Sequence, residues 1–418
     1  MPKIKIVGSN ILSGEIKVSG AKNSAVSLIP ASILCDEIVN LDNVPNISDI
    51  DSLEEILEFL EVKIERGNHK VSIDASDMVN KDISCELSSK LRASYYFMGA
   101  LLSKYKHVEM CFPGGCSIGE RPINLHLKGF EKLGASIVEN GDRIIVDATD
   151  LVGDEVFLDV PSVGATVNIL LAAVKAKGVT VIENAAKEPE IVDLCEFLNS
   201  MGAKIKGAGT GRLEVVGVNY LHTTDYSVVP DRIEAGTYVI MATLLGKNLK
   251  ISGLVPEHIE SLTSKLEEAS VKLDIGEDYV MVHKVGDYNG IDITTMVYPG
   301  FPTDLQQPMV PFLVSCEGTS HIEETVWENR FMNIPDTIKM GASIEVSTDN
   351  EVATIYGKSS LIGKEVRATD LRGGASMIIC GLIAEGTTII DNIDHILRGY
   401  ENIVEKLKNV GADIEIID

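Results

Sequence analysis

Aromatic side chains make up only 5% of the 418 residues, with a single tryptophan, Trp327, read as a packing residue. No stretch approaches the roughly 18 consecutive apolar residues that a bilayer-crossing helix needs. Met1-Pro2-Lys3-Ile4-Lys5 leads into an alternating strand rather than the apolar core of a signal peptide, so the expectation is a cytoplasmic protein. Basic residues are also scarce: 37 lysines and arginines face 62 aspartates and glutamates, a net charge of -25. Such a field repels phosphate backbones and anionic lipid, which argues against nucleic-acid and membrane partners. The seven cysteines are odd in number and contain no C-x-x-C pair, which speaks against a disulfide framework or a structural zinc site and for buried thiols. The eight histidines form no H-E-x-x-H and no cluster with cysteines, so no metal site is expected.

What is present is material for a large core, with 45% hydrophobic and 24% charged residues, and a sixfold internal repeat. A helix-like run ending in a Gly-Ala-x-Ile type signal closes at Ile64, Ile137, Ile205, Leu273, Ile344 and Ile414, with spacings of 73, 68, 68, 71 and 70. Ahead of each lies an amphipathic segment such as Ile50, Leu53, Ile56, Leu57 and Leu60, one face of a helix. Two alternating strands around a turn follow, clearest at Ser136-Ile137-Val138, Asn140-Gly141 and Ile144-Ile145-Val146. Upstream in each unit a short strand enters another helix, as at Val18, Leu87, Val160, Val229, Phe301 and Ala368. Lys22, Arg92, Ser162, Arg232, Asp304 and Arg372 then occupy equivalent positions, spaced by 70, 70, 70, 72 and 68.

Each unit therefore reads strand, helix, strand, helix, hairpin. The sixth stops at Ile414-Glu415-Ile416-Ile417-Asp418, one strand short, and Lys3 to Asn10 has the period and exit turn of the missing strand. The expected organisation is one domain at 22–229 with three repeats, and a discontinuous domain of 1–21 and 230–418 with three repeats closed by the N-terminal strand. An open solenoid of six units is the alternative, disfavoured because terminus closing on terminus leaves no ends to cap.

In α/β units ligands gather where helix N-termini present free amide groups. Lys22, Arg92, Arg232 and Arg372 stand at first-helix starts, and Arg121, Arg330 and Arg398 at second-helix starts. Singly each is a surface arginine or lysine; recurring in so acidic a chain, they point to a site for a small polyanion. In Phe112-Pro113-Gly114-Gly115-Cys116-Ser117-Ile118-Gly119-Glu120-Arg121-Pro122, glycines can hold the Cys116 thiol in solvent near Arg121, which favours a thiolate or a bound anion. Asp304 is the acidic member of the mostly basic series, readable as a helix N-cap or as a general base. Gly207-Ala208-Gly209-Thr210-Gly211 lies between two hairpin strands and reads as a turn, not a nucleotide loop.

Along essentially its whole length the chain resembles the enolpyruvyl transferases, and within them the branch acting on UDP-N-acetylglucosamine. The resemblance rests on Gly20-Ala21-Lys22-Asn23-Ser24, Leu91-Arg92-Ala93-Ser94, Pro113-Gly114-Gly115-Cys116 through Arg121-Pro122, Ser162-Val163-Gly164-Ala165-Thr166, Pro230-Asp231-Arg232-Ile233-Glu234, Phe301-Pro302-Thr303-Asp304, Glu328-Asn329-Arg330-Phe331, Ala368-Thr369-Asp370-Leu371-Arg372 and Arg398-Gly399-Tyr400-Glu401. It implies two inside-out α/β barrel domains, each of three βαβαββ repeats, with a cleft between them for UDP-N-acetylglucosamine and phosphoenolpyruvate. The implied reaction adds the sugar 3-hydroxyl to C2 of phosphoenolpyruvate while C3 gains a proton, then expels phosphate. That is the first committed step of peptidoglycan precursor synthesis, and it needs no cofactor because fixed cations can neutralise the substrate anions.

Carried over by position, the resemblance assigns Lys22, Arg121 and Arg398 to a phosphoenolpyruvate clamp, with Arg372 and Asn23 beside it. Asn23 and Asp304 address the sugar, and Asp304 takes the hydroxyl proton. Cys116 protonates C3 or forms an adduct, and is where fosfomycin would alkylate. Arg92, Arg121, Pro122, Ile123, Asn124, Leu125, Ser162, Val163 and Val326 supply the remaining nucleotide-sugar contacts. Two departures stand out: Val160 where many members carry lysine, and Leu397 where many carry aspartate. Competing readings are enolpyruvyl transfer to shikimate 3-phosphate, which as a rule lacks the Gly-Gly-Cys loop, and an inactive nucleotide-sugar-binding regulator, against which Cys116, Asp304 and Arg398 speak.

Overall fold

The computed structural model describes residues 2–112 and 123–418 and divides them into two compact units. One, the Lys22 unit, spans residues 20–112 and 123–229; the other, the Asp304 unit, joins residues 2–19 to 230–418. Among the described residues no helix is long and apolar enough to cross a membrane.

The repeat around Val163 shows the common plan. Strand Glu155–Phe157 leads into helix Val163–Ala173, which returns as Val179–Glu183, parallel to the first strand. Helix Pro189–Ser200 follows, then the hairpin Lys204–Lys206 and Arg212–Val216, whose second strand pairs antiparallel with Val179–Glu183. Gly207 and Gly209 turn that hairpin with φ of +86° and +78°, as the turn reading of the glycine run requires.

Why the first helix of each repeat lies inside follows from its composition. Val163–Ala173 is buried at every residue from Gly164 to Ala173, and Leu371–Ile383 from Arg372 to Leu382, as helices apolar on all sides must be. In the Asp304 unit, helices Arg232–Leu245, Thr303–Ser315 and Leu371–Ile383 pack on one another. In the Lys22 unit, Tyr96–Tyr105 packs against both Lys22–Ser32 and Val163–Ala173. Each unit carries three sheets around these helices. The second helices are amphipathic, as in Ser48–Phe59, which buries Ile50, Leu53, Ile56 and Leu57.

The glycine of the repeat signal has a local cause. Gly134, Gly202, Gly341 and Gly411 end the second helices at φ of +92°, +98°, +114° and +106°, the left-handed position after a helix C-cap. In the first and fourth repeats Glu61 and Ser270 take that conformation at φ of 62° and 75°.

The N-terminal strand Lys3–Val7 lies between Thr387–Asp391 and Asp413–Ile417, with Ile4 opposite Ile390 on one side and Ile416 on the other. It is thus the missing strand of the sixth repeat, and Ile4 and Ile6 are fully buried. The strands ahead of Lys22 and Arg232 are arranged differently from a simple reading of the repeat. Leu12–Lys17 runs parallel to Gly246–Ser252, while Thr224–Ser227 runs parallel to Ile38–Asp42. Each chain crossing thus leaves its strand behind in the sheet of the unit it is departing. Period alone cannot reveal this, because both strands sit at the same repeat position.

The cysteines also depart from expectation. Cys35, Cys195, Cys316 and Cys380 are buried thiols, and burial pushes the last three up to about 12. Cys85 and Cys111, however, are joined as a disulfide with Cα atoms 5.0 Å apart. The parallel bridge between Ile83 and Met110 brings them together, a tertiary pairing that 26 residues of separation do not announce.

Candidate functional site

In the Asp304 unit the chemistry gathers at the first turn of helix Thr303–Ser315. Pro302 is its N-cap and no side chain caps it, so Asp304, the second helical residue, is not the cap. Its carboxylate instead receives Arg330 Nη2 on Oδ1 and Arg372 Nη2 on Oδ2, the latter at 3.0 Å. The arginine side chains are 2% and 4% exposed, the aspartate 28%. Burial alone would push the Asp304 carboxyl up; Arg372 and Arg330 outweigh it and, with help from Arg232, hold it well below the usual carboxylate range.

Both guanidinium groups have capacity left over. Among the described residues Arg330 Nη1 and Arg372 Nη1 are buried without a hydrogen-bond partner, the former 4.0 Å from Asp370 Oδ1. A buried donor left unsatisfied costs about 1–3 kcal/mol, and more when charged, so an anion bound here would relieve a built-in penalty. Asp370 fixes the approach of Arg372 by capping helix Leu371–Ile383, accepting from the Arg372 and Gly373 amides at 3.0 Å each. Arg372 Cζ also lies 5.3 Å from the centre of the Tyr400 ring. Arg232 opens helix Arg232–Leu245 with its guanidinium 5.5 Å from the Tyr298 ring, and Arg398 is half-buried after the short helix Asp394–Leu397.

In the Lys22 unit the corresponding helix tips are built otherwise. Lys22 is the first residue of Lys22–Ser32, and its Nζ lies 2.6 Å from Oδ2 of Asp49, itself buried in the first turn of Ser48–Phe59. Asn23 reaches Glu190 Oε1 at 3.5 Å. Arg92 opens the single turn Arg92–Tyr95, its Cζ 5.5 Å from the Tyr95 ring, which meets His126 edge-on at 4.9 Å. Gly99 N–H donates to Asn168 Oδ1 at 2.8 Å, which fixes the amide so that Nδ2 faces His126 Nδ1 at 2.9 Å. That ring nitrogen must then accept, and burial, aided by the Arg92 charge, lowers the imidazole to about 3, so His126 is neutral at pH 7.

Ser162 caps helix Val163–Ala173, accepting from Ala165 N at 3.3 Å. A Cβ on Gly164 would fall 2.5 Å from Tyr95 Oη, so only glycine lets the ring approach. Ile123 is buried ahead of helix Asn124–Lys132, where Asn124 is exposed and Leu125 half-buried. Val160 is 57% exposed, so its replacement of a lysine answers no packing demand. Cys116, Arg121 and Pro122 lie outside the described residues.

The structure thus brings Asp304, Arg372 and Arg232 together in one unit, and in the other gathers Arg92 and Val163's helix around Tyr95 and Lys22 beside Asn23's helix turn. Sequence reasoning undervalued Arg330, noted only as a recurring cation, and did not single out Asp49, Glu190 or Glu324. Their signal is faint because each is an acid within an acidic segment and reads as solvated.

A family model described as EPSP synthase (3-phosphoshikimate 1-carboxyvinyltransferase) matches residues 6–407. The chain belongs to the enolpyruvyl transferase family. Among curated relatives, this enolpyruvyl transferase is 48% identical over 412 residues to UDP-N-acetylglucosamine 1-carboxyvinyltransferase 2 of Staphylococcus aureus, covering 98% of each chain. It is 48% identical over 414 residues to UDP-N-acetylglucosamine 1-carboxyvinyltransferase 1 of Staphylococcus haemolyticus, again over 98% of each. The crystal structure of the enolpyruvyl transferase NikO from Streptomyces tendae matches with a TM-score of 0.90 at 25% identity, covering 100% of this chain and 99% of that one. EPSP synthase from Acinetobacter baumannii matches with a TM-score of 0.77 at 18% identity over the whole of both chains, a likeness of fold alone.

Proposed function

We propose that this enolpyruvyl transferase moves the enolpyruvyl group of phosphoenolpyruvate to the 3-hydroxyl of UDP-N-acetylglucosamine, in the cytoplasm, as an early step toward peptidoglycan. The observation that carries the chemistry is the half-buried carboxylate of Asp304 between two arginines that each keep an N–H without a partner among the described residues. The acceptor follows the two staphylococcal relatives rather than the family model's shikimate description, because identity near half over nearly the whole chain outweighs a match that spans the superfamily.

The residues divide the work as follows. Lys22, Arg372 and Arg398 hold the phosphate and carboxylate of phosphoenolpyruvate, joined by Arg121; Asn23 orients the sugar; Arg92, Ile123, Asn124, Leu125, Ser162, Val163 and Val326 with Pro122 hold the nucleotide. With both arginines on it, Asp304 is ionised but weakly basic. An anion that draws Arg372 away frees Oδ2 and raises its basicity at the moment the acceptor arrives. The 3-hydroxyl proton passes to Asp304 as the oxygen bonds to C2, and C3 takes a proton from Cys116. The C3 proton then returns to the Cys116 thiolate as the C2–O bond to phosphate breaks, which restores the C2–C3 double bond as an enol ether, and inorganic phosphate leaves with the proton held on Asp304.

Asp304→Asn tests this directly. The variant should bind both substrates and lose ~100 to 10,000-fold in turnover, since the amide keeps size and polarity but cannot accept the proton. Phosphate release is measured with UDP-N-acetylglucosamine and with shikimate 3-phosphate. Near-normal turnover of the variant at saturation rejects the general base, and wild-type release only with shikimate 3-phosphate rejects the acceptor.

A further inference from the structure

Asp304 and Arg330 need a support that holds both at once, and the segment just ahead of Arg330 supplies one. Glu324 follows strand Thr319–Glu323 and is 4% exposed, an acid buried next to exposed Glu323. Four donors converge on it. Oε1 accepts from Thr295 Oγ1 at 2.9 Å and from the backbone amides of Val326 at 2.9 Å and Trp327 at 3.2 Å. Oε2 accepts from Thr303 Oγ1 at 2.9 Å.

The direction of each bond is settled by the donors. Thr295 Oγ1 accepts the Thr325 amide at 2.9 Å, leaving its proton for Glu324. Thr303 Oγ1 accepts Arg330 Nε at 3.1 Å, so its proton also goes to Glu324. Arg330 Nη2 then donates to Asp304, the residue after Thr303. One carboxylate therefore sits at the root of two branches: a relay through Thr303 and Arg330 to Asp304, and a backbone clasp on the loop that carries Val326. Donors polarised in series hold one another more firmly than isolated pairs.

We propose that Glu324 is a positioning residue for the transfer reaction, aiming Arg330 at Asp304 through the Thr303 hydroxyl and fixing the Val326 loop against the nucleotide sugar. This rests on the enolpyruvyl-transfer reading above. Its physical content is that Oε2 must accept. In Glu324→Gln one face of the group becomes an NH2 donor; if that face meets Thr303, the hydroxyl must accept from it as well as from Arg330, and the relay loses its polarity. If it meets the two backbone amides instead, donor faces donor and the clasp opens.

The test pairs Glu324→Gln with Thr303→Val and Thr303→Ser. A misaimed catalytic group typically costs ~10 to 100-fold in rate. Glu324→Gln should therefore lower kcat by that factor and raise KM for UDP-N-acetylglucosamine about threefold or more, whereas Thr303→Val, which cuts only the relay, should lower kcat with KM unchanged. Thr303→Ser, retaining the hydroxyl, should recover most of the kcat. The double variant Glu324→Gln with Thr303→Val should be no slower than Glu324→Gln alone. Thr303→Val with full kcat, or Thr303→Ser as slow as Thr303→Val, overturns the proposal, as does loss of activity in Glu324→Gln that only tracks the fraction of unfolded protein. Wild type that releases no phosphate sinks the transfer reading instead. Glu324 is then judged on UDP-N-acetylglucosamine binding by calorimetry, where Glu324→Gln should weaken affinity about threefold or more and Thr303→Val should leave it unchanged, and wild-type affinity in Glu324→Gln overturns its role.

Discussion

The two units repeat one architecture three times each but equip their helix tips differently. In the Asp304 unit the charged groups interlock: Asp304 holds Arg330 and Arg372, while Glu234 takes Lys406 at 2.7 Å and the Ser19 amide at 2.6 Å. In the Lys22 unit half-buried Lys22 pairs with buried Asp49, and in a neutral cluster Tyr95, His126 and Asn168 are fitted by ring contact and hydrogen bond. Duplicated backbone thus repeats the helix starts, while the side chains there decide which chemistry is possible. A carboxylate held by two arginines suits proton transfer beside an anion; a neutral polar cluster suits shape recognition.

The sharpest way to break the comparison is to remove what only one unit needs. Deleting residues 1–8 takes a central strand, Lys3–Val7, from between two partners and orphans Asp413–Ile417. The Asp304 unit should lose its protection in hydrogen exchange while the Lys22 unit keeps most of its own. Equal protection in both units after the deletion would mean the strand does not hold the unit together.

A smaller effect comes from Lys406→Met. Glu234 is 2% exposed; burial raises its carboxyl and Lys406 opposes that rise. Leaving such a charge without its cation costs about 3–5 kcal/mol. Because a raised carboxyl pKa favours the protonated fold, the deficit should be largest at neutral pH and shrink as pH falls toward the unfolded value of about 4.3. Denaturant unfolding at pH 7 and pH 5 measures this, and a deficit that grows with acid contradicts it.

The smallest effect belongs to the neutral cluster. His126 is neutral in the fold and its pKa of about 3 lies below the ordinary 6.5, so the unfolded chain binds more protons between those values. Stability should then fall as pH drops below 6.5, by about 2 kcal/mol at pH 5, a loss that His126→Gln should remove. Parallel pH slopes for wild type and variant would show that the imidazole does titrate freely.

Much of this was legible in the sequence because it is periodic. The helix that ends in Gly-Ala-x-Ile must place a glycine at positive φ, and the N-terminal strand Lys3–Val7 could be matched to a gap in the sixth repeat by its alternation. Asp304 stood out as an acid in a series of cations. What was not legible depends on tertiary choice. Leu12–Lys17 and Thr224–Ser227 are interchangeable by pattern, and only packing decides which sheet receives which. Glu324 sits beside Glu323 in one acidic pair, yet one faces the interior and four donors while the other faces solvent. Arg330 looked like one more cation until its contact with Asp304 drew it into the candidate site. The Cys85–Cys111 pair needed the bridge between Ile83 and Met110.

The closure of the first strand against the last sets a clock on the chain as it is made. Lys3–Val7 leaves the ribosome about 410 residues ahead of its neighbour Asp413–Ile417, so at about 5–20 residues per second the strand waits ~20 to 80 s for that side of its sheet. Thr224–Ser227 completes the Lys22 unit when only about half the chain exists, so that unit can fold while the ribosome is still working. Residues 3–17 meanwhile carry two unpaired strands, a stretch that a chaperone would have to shield and that an early arrest of translation would leave permanently uncovered.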